Sequence, residues 1–421
     1  MQIAQKETLP WQTRLIAFLT NQQQIIYPLL DIPLSALNYA FLVFASWYLP
    51  RSDYGIVNSL LALLAITLMI GIAVQTLTAK QVSALATEVD TTAIFRLGGL
   101  AGLLVCVIFL ITMPVLQAIT HGSVAALIAL YLTFVCNIFV SIFRGIYQGQ
   151  KRFLRLNLSF YIEVFGKTTT LLLFLMWFPT ITTVIGAVLI GMALSLAYSL
   201  MTDWHERPSS RFTTTPQPIA PVLRQLSGIV AAQFFLQFFV TIDIILINYY
   251  SPYNAGAYAV VAKYGQLILF SFLSLQTVLF PILNRAAAAR SAFQSVLRSV
   301  TIGYLVLSLL VVVVYHTIIP RTIPLFFGAA YADTVALITL SACVYCLLAF
   351  IHLLVNLFII VSDARYLFCL AAAAVLTLGI NIYYAQNIHT LLIAQIAVYA
   401  ALSVALWWVG SVHWRTETDV K

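Results

Sequence analysis

Apolar runs of 18 residues or more recur along the whole chain, such as LGGLAGLLVCVIFLITMPVL at 97–116. Each is long enough to cross a hydrocarbon core of about 30 Å. Inside lipid the backbone must satisfy its own hydrogen bonds, which leaves helices or a closed barrel. The runs are too long and too continuously apolar for the short alternating strands of a barrel. A chain that is 62% hydrophobic and 8% charged over 421 residues is no water-soluble domain. The sequence therefore specifies an all-α polytopic membrane protein.

About twelve spans can be drawn, at roughly 27–49, 55–80, 95–118, 123–147, 154–178, 180–203, 226–250, 255–284, 296–319, 332–361, 365–385 and 388–411. Turns such as WFPT at 177–180 and SPYN at 251–254 are short and join antiparallel neighbours. The polar start, MQIAQKETLPWQTR, lacks the pattern of a cleavable signal peptide. The five cysteines all fall in apolar runs. Cys343 and Cys346 form a C-x-x-C without a second pair or a nearby His, and read as helix filler rather than a metal or redox site.

Positive charge orients the spans. Of the 21 lysines and arginines, seventeen fall on the side that holds both termini, and only Arg51 and Arg321 on the other. Lys167 and Lys263 lie within spans. By the positive-inside rule both termini are expected in the cytoplasm. The net charge of +8 is then a topology signal facing anionic lipid and calls for no nucleic acid.

WHERPSSRFTTTPQPIAP, 204–221, is the one long stretch rich in Pro, Ser and Thr, with six spans on either side. It divides the chain into expected halves 1–203 and 222–421. The halves echo one another: Gly55 and Gly256 are 201 apart, and so are Gln75 and Gln276, and Thr76 and Thr277. GQKRF at 149–153 and SDARY at 362–366 give a further echo at an offset of 213. With six spans per half the repeat is parallel, two six-helix bundles around a central cavity that rock in alternating access.

Polar residues at helical spacing mark the faces that avoid lipid. They are Asp31, Ser35, Asn38 and Ser46 in the first span, and Thr133, Asn137, Ser141, Arg144, Gln148, Lys151 and Arg155 in and beyond the fourth. The fifth span adds Ser159, Glu163, Lys167 and Thr170, and the tenth adds Ser341, Tyr345, His352 and Asn356. Such a face either lines a cavity or glues helix to helix. The fourth-span stripe ends basic, with Arg152 beside it, and favours an anion funnel. Asp243 and Lys263 fall at depths of about 10 Å and about 13 Å in two spans joined by a tight turn, so they are expected to pair or to share one pocket. Glu163 and Lys167, four apart, offer a second pair. Each pair is open to a transport role or a structural one.

RGIYQGQKRFLRLNLSFYIEVFGKTTTLLL at 144–173 resembles the R-G-x-x-Q-G-x-x-R-F segment of bacterial polysaccharide and O-antigen repeat-unit flippases, the Wzx type. These belong to the multidrug/oligosaccharidyl-lipid/polysaccharide exporter superfamily. DIILINYYSPYNAGAYAVVAKYGQLILF at 243–270 resembles their seventh and eighth spans, and LFFGAAYADT at 325–334 their loop before span ten. The resemblance implies a flippase of the bacterial inner membrane that moves a glycan on a polyprenyl diphosphate from the cytoplasmic to the outer leaflet, for surface polysaccharide assembly. It implies no cofactor and no metal. Polysaccharide polymerase or glycosyltransferases are its implied partners. On it Arg144, Lys151, Arg152 and Arg155 attract the diphosphate, while Asn38, Asn137, Ser141, Gln148, His352 and Asn356 contact the glycan. The in-span set Asp31, Glu163 and Asp243 against Lys167 and Lys263 is net acidic. It leaves room for coupling to H⁺ or Na⁺ through a carboxylate. A cation-coupled multidrug exporter of the same superfamily is the first rival. A membrane-embedded glycosyltransferase or polymerase is the second, and it would want a long outer loop that the sequence lacks.

Overall fold

The computed structural model describes residues 23–84, 91–204, 219–288, 293–361 and 365–419. Twelve long helices fall where the apolar runs predict them: α1 Gln23–Tyr48, α2 Arg51–Ala84, α3 Thr91–Thr120, α4 Val124–Gly149, α5 Phe153–Leu175 and α6 Ile181–Trp204, then α7 Ile219–Tyr250, α8 Pro252–Ala288, α9 Phe293–Thr317, α10 Val335–Val361, α11 Tyr366–Tyr384 and α12 Ile388–Asp419. Ten of them carry an apolar stretch long enough to cross a membrane. The chain is a multi-pass membrane protein. Most of the expected linker, with Lys6, Arg14, Arg207, Arg211, Arg290 and Lys421, lies outside the described residues, as do the side chains of Asp31, Lys80, Arg96, Arg224, Arg285 and Arg415.

Local chemistry sets the helix ends. Ser123 caps α4, its Oγ accepting from the Ala126 N–H at 3.2 Å. Pro50 and Pro252 stand at the starts of α2 and α8, where a missing N–H costs nothing. Between α9 and α10 a short helix, Ile323–Phe327, ends at Gly328, whose φ of 86° suits glycine.

Helix contacts repeat at an offset of six. α2 packs on α4 as α8 packs on α10, α4 on α6 as α10 on α12, α5 on α6 as α11 on α12, and α1 on α5 as α7 on α11. Of the ten membrane-span candidates, α4 and α10 are the most buried, with two-thirds of their apolar windows inside the bundle, whereas α9 has 11% and lies on the bundle's outside.

The first and last six helices meet through α2, which packs on both α7 and α8. They are clasped at the end of the bundle opposite the 150–152 turn, called here the far end. There the repeat-related glycines touch: a Cβ on Gly55 would lie 2.6 Å from Ala255 Cβ and 2.7 Å from Gly256 N. To one side, Trp47 Nε1 donates to Phe326 O at 2.5 Å and Arg51 pairs with Asp333. To the other, Asn248 Nδ2 donates to Thr120 O at 2.7 Å and the rings of His121 and Tyr249 stack.

Candidate functional site

A cavity of about 330 Å³ lies between the first and last six helices, walled by α2, α7, α8 and α10. Its polar groups are Asn58, Gln233, Gln237, Thr241, Lys263, Gln266 and His352, and its apolar floor includes Leu269, Phe270 and Leu273. Lys263 Nζ donates to Gln266 Oε1 at 3.0 Å and has no carboxylate within ion-pair distance among the described residues. Asn58 donates to Tyr54 O at 2.8 Å, and its Oδ1 and the His352 Nε2 are buried without a partner among the described residues. The 201-residue offset runs through this wall, because Asn58 and Ala259, Leu61 and Ala262, Ala62 and Lys263, and Ala65 and Gln266 all line the same space. The cavity thus sits where α2 and its copy α8 face each other.

Of the residues expected to line a cavity, His352 does so. The fourth-span stripe does not. Asn137 and Ser141 are buried against α2, where a Cβ on Gly71 would fall 2.1 Å from Asn137 Nδ2 and 2.7 Å from Ser141 Oγ. Gln148 accepts from Gln75 Nε2 at 3.0 Å, again across α2 and α4. The G-x-x-x-G of Gly145 and Gly149 lets the two backbones close: added Cβ atoms would meet Gln75 O and Val82 Cβ, each at 2.6 Å. This face is a packing seam, because three small residues bring α4 against α2 and leave no room for a funnel. Asn356 serves similarly in the other half, donating to Gln276 Oε1 at 2.8 Å. Gln276 in turn donates to Tyr304 OH and to Ala349 O, tying α8 to α9 and α10.

Arg144 is not a mouth cation. It is 4% exposed, and its Nη2 donates to Glu163 Oε2 at 2.7 Å while its Nε donates to Ser159 Oγ at 3.0 Å. Ser195 Oγ on α6 and the Phe160 ring, 3.8 Å from the guanidinium carbon, complete its surroundings. Glu163 therefore pairs with Arg144 rather than with Lys167, whose Nζ lies 5.3 Å from the centre of the Phe41 ring on α1. Lys151 and Arg152 are exposed at the α4–α5 turn and Arg155 is half-buried just beyond it, at the end opposite the clasp. Asn38 is half-buried on α1.

Asp243 and Lys263 are not an ion pair. Asp243 is 2% exposed, accepts from the Tyr258 hydroxyl on α8, and caps the Ile244 N–H at 2.7 Å. Gln395, Tyr345 and Tyr399 lie around it. Lys263 comes five residues after Tyr258, about 140° further round α8. The tyrosine that meets Asp243 thus turns the lysine away and into the cavity. Counting residues from the turn sets the depth of each group but not its direction around the helix. It also held an unread signal: Gln233, Gln237 and Thr241, four apart on α7, are the cavity's longest polar stripe.

With this geometry in view, the known proteins place the chain. A family model described as polysaccharide biosynthesis protein matches residues 25–287, more than half of the chain. The chain belongs to that family. It is similar in fold to a multidrug resistance MATE family transporter of the MOP superfamily in its inward-facing conformation, at 12% identity and a TM-score of 0.74, covering 92% of this chain and 96% of that one. Against the outward-facing conformation of such a transporter the identity is 12% and the TM-score 0.65, over 94% and 95% of the two chains. A MOP superfamily transporter from Pyrococcus furiosus, described as having a binding pocket of reverse polarity that suggests a different function, matches at 14% identity and 0.63, over 93% and 94%. No curated protein matches the sequence significantly.

Proposed function

We propose that the protein is a transporter, not an enzyme, that flips a glycan on a polyprenyl diphosphate across the bacterial inner membrane by alternating access. The far end faces outward, both termini face the cytoplasm, and 1–203 and 222–421 rock as two halves about 204–221. The carrying observation is the cavity's chemistry: an amine on α8, Lys263, set among the amides of Asn58, Gln233, Gln237 and Gln266. An anion and a run of hydroxyl groups suit that lining. Lys263 takes the diphosphate as a point charge, and the amides hydrogen-bond the first sugar. The lipid tail stays in the bilayer. Lys151 and Arg152 gather the anion at the cytoplasmic mouth. A cationic drug would meet Lys263 at the centre of its path, which disfavours the exporter reading.

The test is a lipid extract from cells lacking the protein. A polyprenyl-diphosphate glycan should accumulate, and its glycan should disappear from the surface. Lys263→Gln should reproduce the accumulation while Lys263→Arg restores surface glycan in part. Cells that accumulate no such lipid and instead become sensitive to cationic drugs would overturn the reading.

A further inference from the structure

Arg51 carries more recognition chemistry than a structural ion pair uses. Its Nη2 and Nη1 donate to the two oxygens of Asp333 at 2.6 and 3.2 Å, and Nη1 also reaches Ala330 O at 3.1 Å. The rings of Tyr253 and Tyr331 frame the guanidinium at 5.3 and 5.7 Å. Its Nε is a buried donor with no partner among the described residues. Beside it opens a polar pocket of about 270 Å³, lined also by Asn254, Gln386, Asn387 and His389.

The two partners are unequal. The Asp333 side chain is 59% exposed and that of Arg51 only 16%. Both rings stand with Asp333 on the side of the last six helices, so separation takes the carboxylate and the rings from Arg51 together and leaves its guanidinium fork on α2 open to another anion. Opening the far end is therefore favoured when another anion with paired oxygens takes the carboxylate's place. A phosphate fits the same fork.

We propose that Arg51 is a second anion site, held by Asp333 in this closed form and handed to the cargo's phosphate as the far end opens. The inference rests on the reading of an anionic cargo. Gly256 touches the Arg51 backbone, and Lys263 lies seven residues further along α8, about 10 Å of helix rise deeper in the bundle. Asp333 then occupies the exit site whenever cargo does not, which keeps the outer end shut on an empty cavity.

The experiment uses the full chain with its five cysteines replaced, in phospholipid-free detergent, with spin labels at Phe178→Cys and Ile318→Cys on opposite halves of the far end. Inorganic pyrophosphate is the probe, and sodium chloride at equal ionic strength the control. Pyrophosphate should lengthen the inter-label distance. Asp333→Asn, which removes the competing carboxylate, should respond at about fivefold lower pyrophosphate, the range of a partly exposed ion pair. Arg51→Gln should still bind pyrophosphate through Lys263 yet show no pyrophosphate response at the far end. If Asp333→Asn and Arg51→Gln behave alike, the pair is only a latch and the inference fails. If pyrophosphate binds in a Lys263-dependent way and leaves the far-end distance unchanged, the inference fails while the cargo reading stands. If pyrophosphate binds nowhere, the anionic-cargo reading has failed and the exit site with it. A response that phosphatidylglycerol alone produces in full assigns the site to bilayer phosphate and overturns exchange with cargo.

Discussion

Replacing Gly256 with alanine tests whether the closed far end is one of two states. The added Cβ would lie 2.0 Å from Arg51 O, 2.7 Å from Arg51 Cγ and 2.8 Å from Arg51 C. Two of these atoms are backbone, so no rotamer change relieves the clash and α2 must move from α8 by about 1 Å or more. Overpacking of this kind costs about 1–3 kcal/mol. If the far ends of α2 and α8 separate in an outward-open form, the cost falls on the closed form alone. The closed-to-open ratio should drop by about fivefold to about a hundredfold. Labels at Phe178→Cys and Ile318→Cys report it as a longer distance population without any cargo. Gly379→Ala is the control. An added Cβ there meets nothing within 4 Å, and the helix gains up to about 1 kcal/mol of propensity. A Gly256→Ala protein whose distance distribution matches the control refutes the reasoning, since the strain would then be absorbed within the closed form.

Two further predictions concern the buried charges. Arg144→Gln should cost about 3–5 kcal/mol by leaving the Glu163 carboxylate without its cation, read as a lowered melting temperature in detergent. The double variant Arg144→Met, Glu163→Leu should recover much of that loss, and a double-mutant cycle that shows no coupling removes the pair from the stability of the first half. Asp243→Asn keeps a hydrogen-bonding group beside Tyr258 and should leave insertion and melting temperature intact. Transport should fall by about tenfold, the scale of a 1–3 kcal/mol coupling. Normal transport with an unaltered dependence on H⁺ and Na⁺ gradients would exclude Asp243 from coupling.

The residues show what a single sequence carries and where it stops. The helices were legible because lipid imposes length and polarity on every span, and all twelve segments are helical here. The echo of Gly55 in Gly256 was legible as a repeat, but that the two glycines touch was not, because a sequence offset does not place a residue at the contact between the halves. The stripes were legible as faces, but period gives a face and not its neighbour. Arg144, Lys151 and Arg155 looked like a funnel because they share a line on one helix. Arg144 is instead claimed by Glu163, 19 residues on, and by Ser195 from α6. That pairing exists only once α5 and α6 have packed beside α4, a tertiary fact no window of sequence contains.

The in-span charges read differently once the chain is folded. Counting in-span ionisable groups along the sequence gives a net acidic set, Asp31, Glu163 and Asp243 against Lys167 and Lys263. The folded chain removes Glu163 and Asp243 from that account, the one tied to Arg144 and the other to Tyr258 and the Ile244 N–H. What faces the cavity is decided position by position along α2 and α8. The two copies differ at all four shared positions, and at three of them a polar residue in one copy corresponds to an alanine in the other: Asn58 to Ala259, Lys263 to Ala62, and Gln266 to Ala65. A second lysine at position 62 would add another ammonium group to the lining of a cavity of about 330 Å³, where the two would repel. Duplication supplied the symmetric frame, and its divergence left a single cation off the axis. A site built that way can hold a cargo with one charged end in one orientation, which is what a lipid-linked glycan requires if its tail is to remain in the bilayer while its sugars cross.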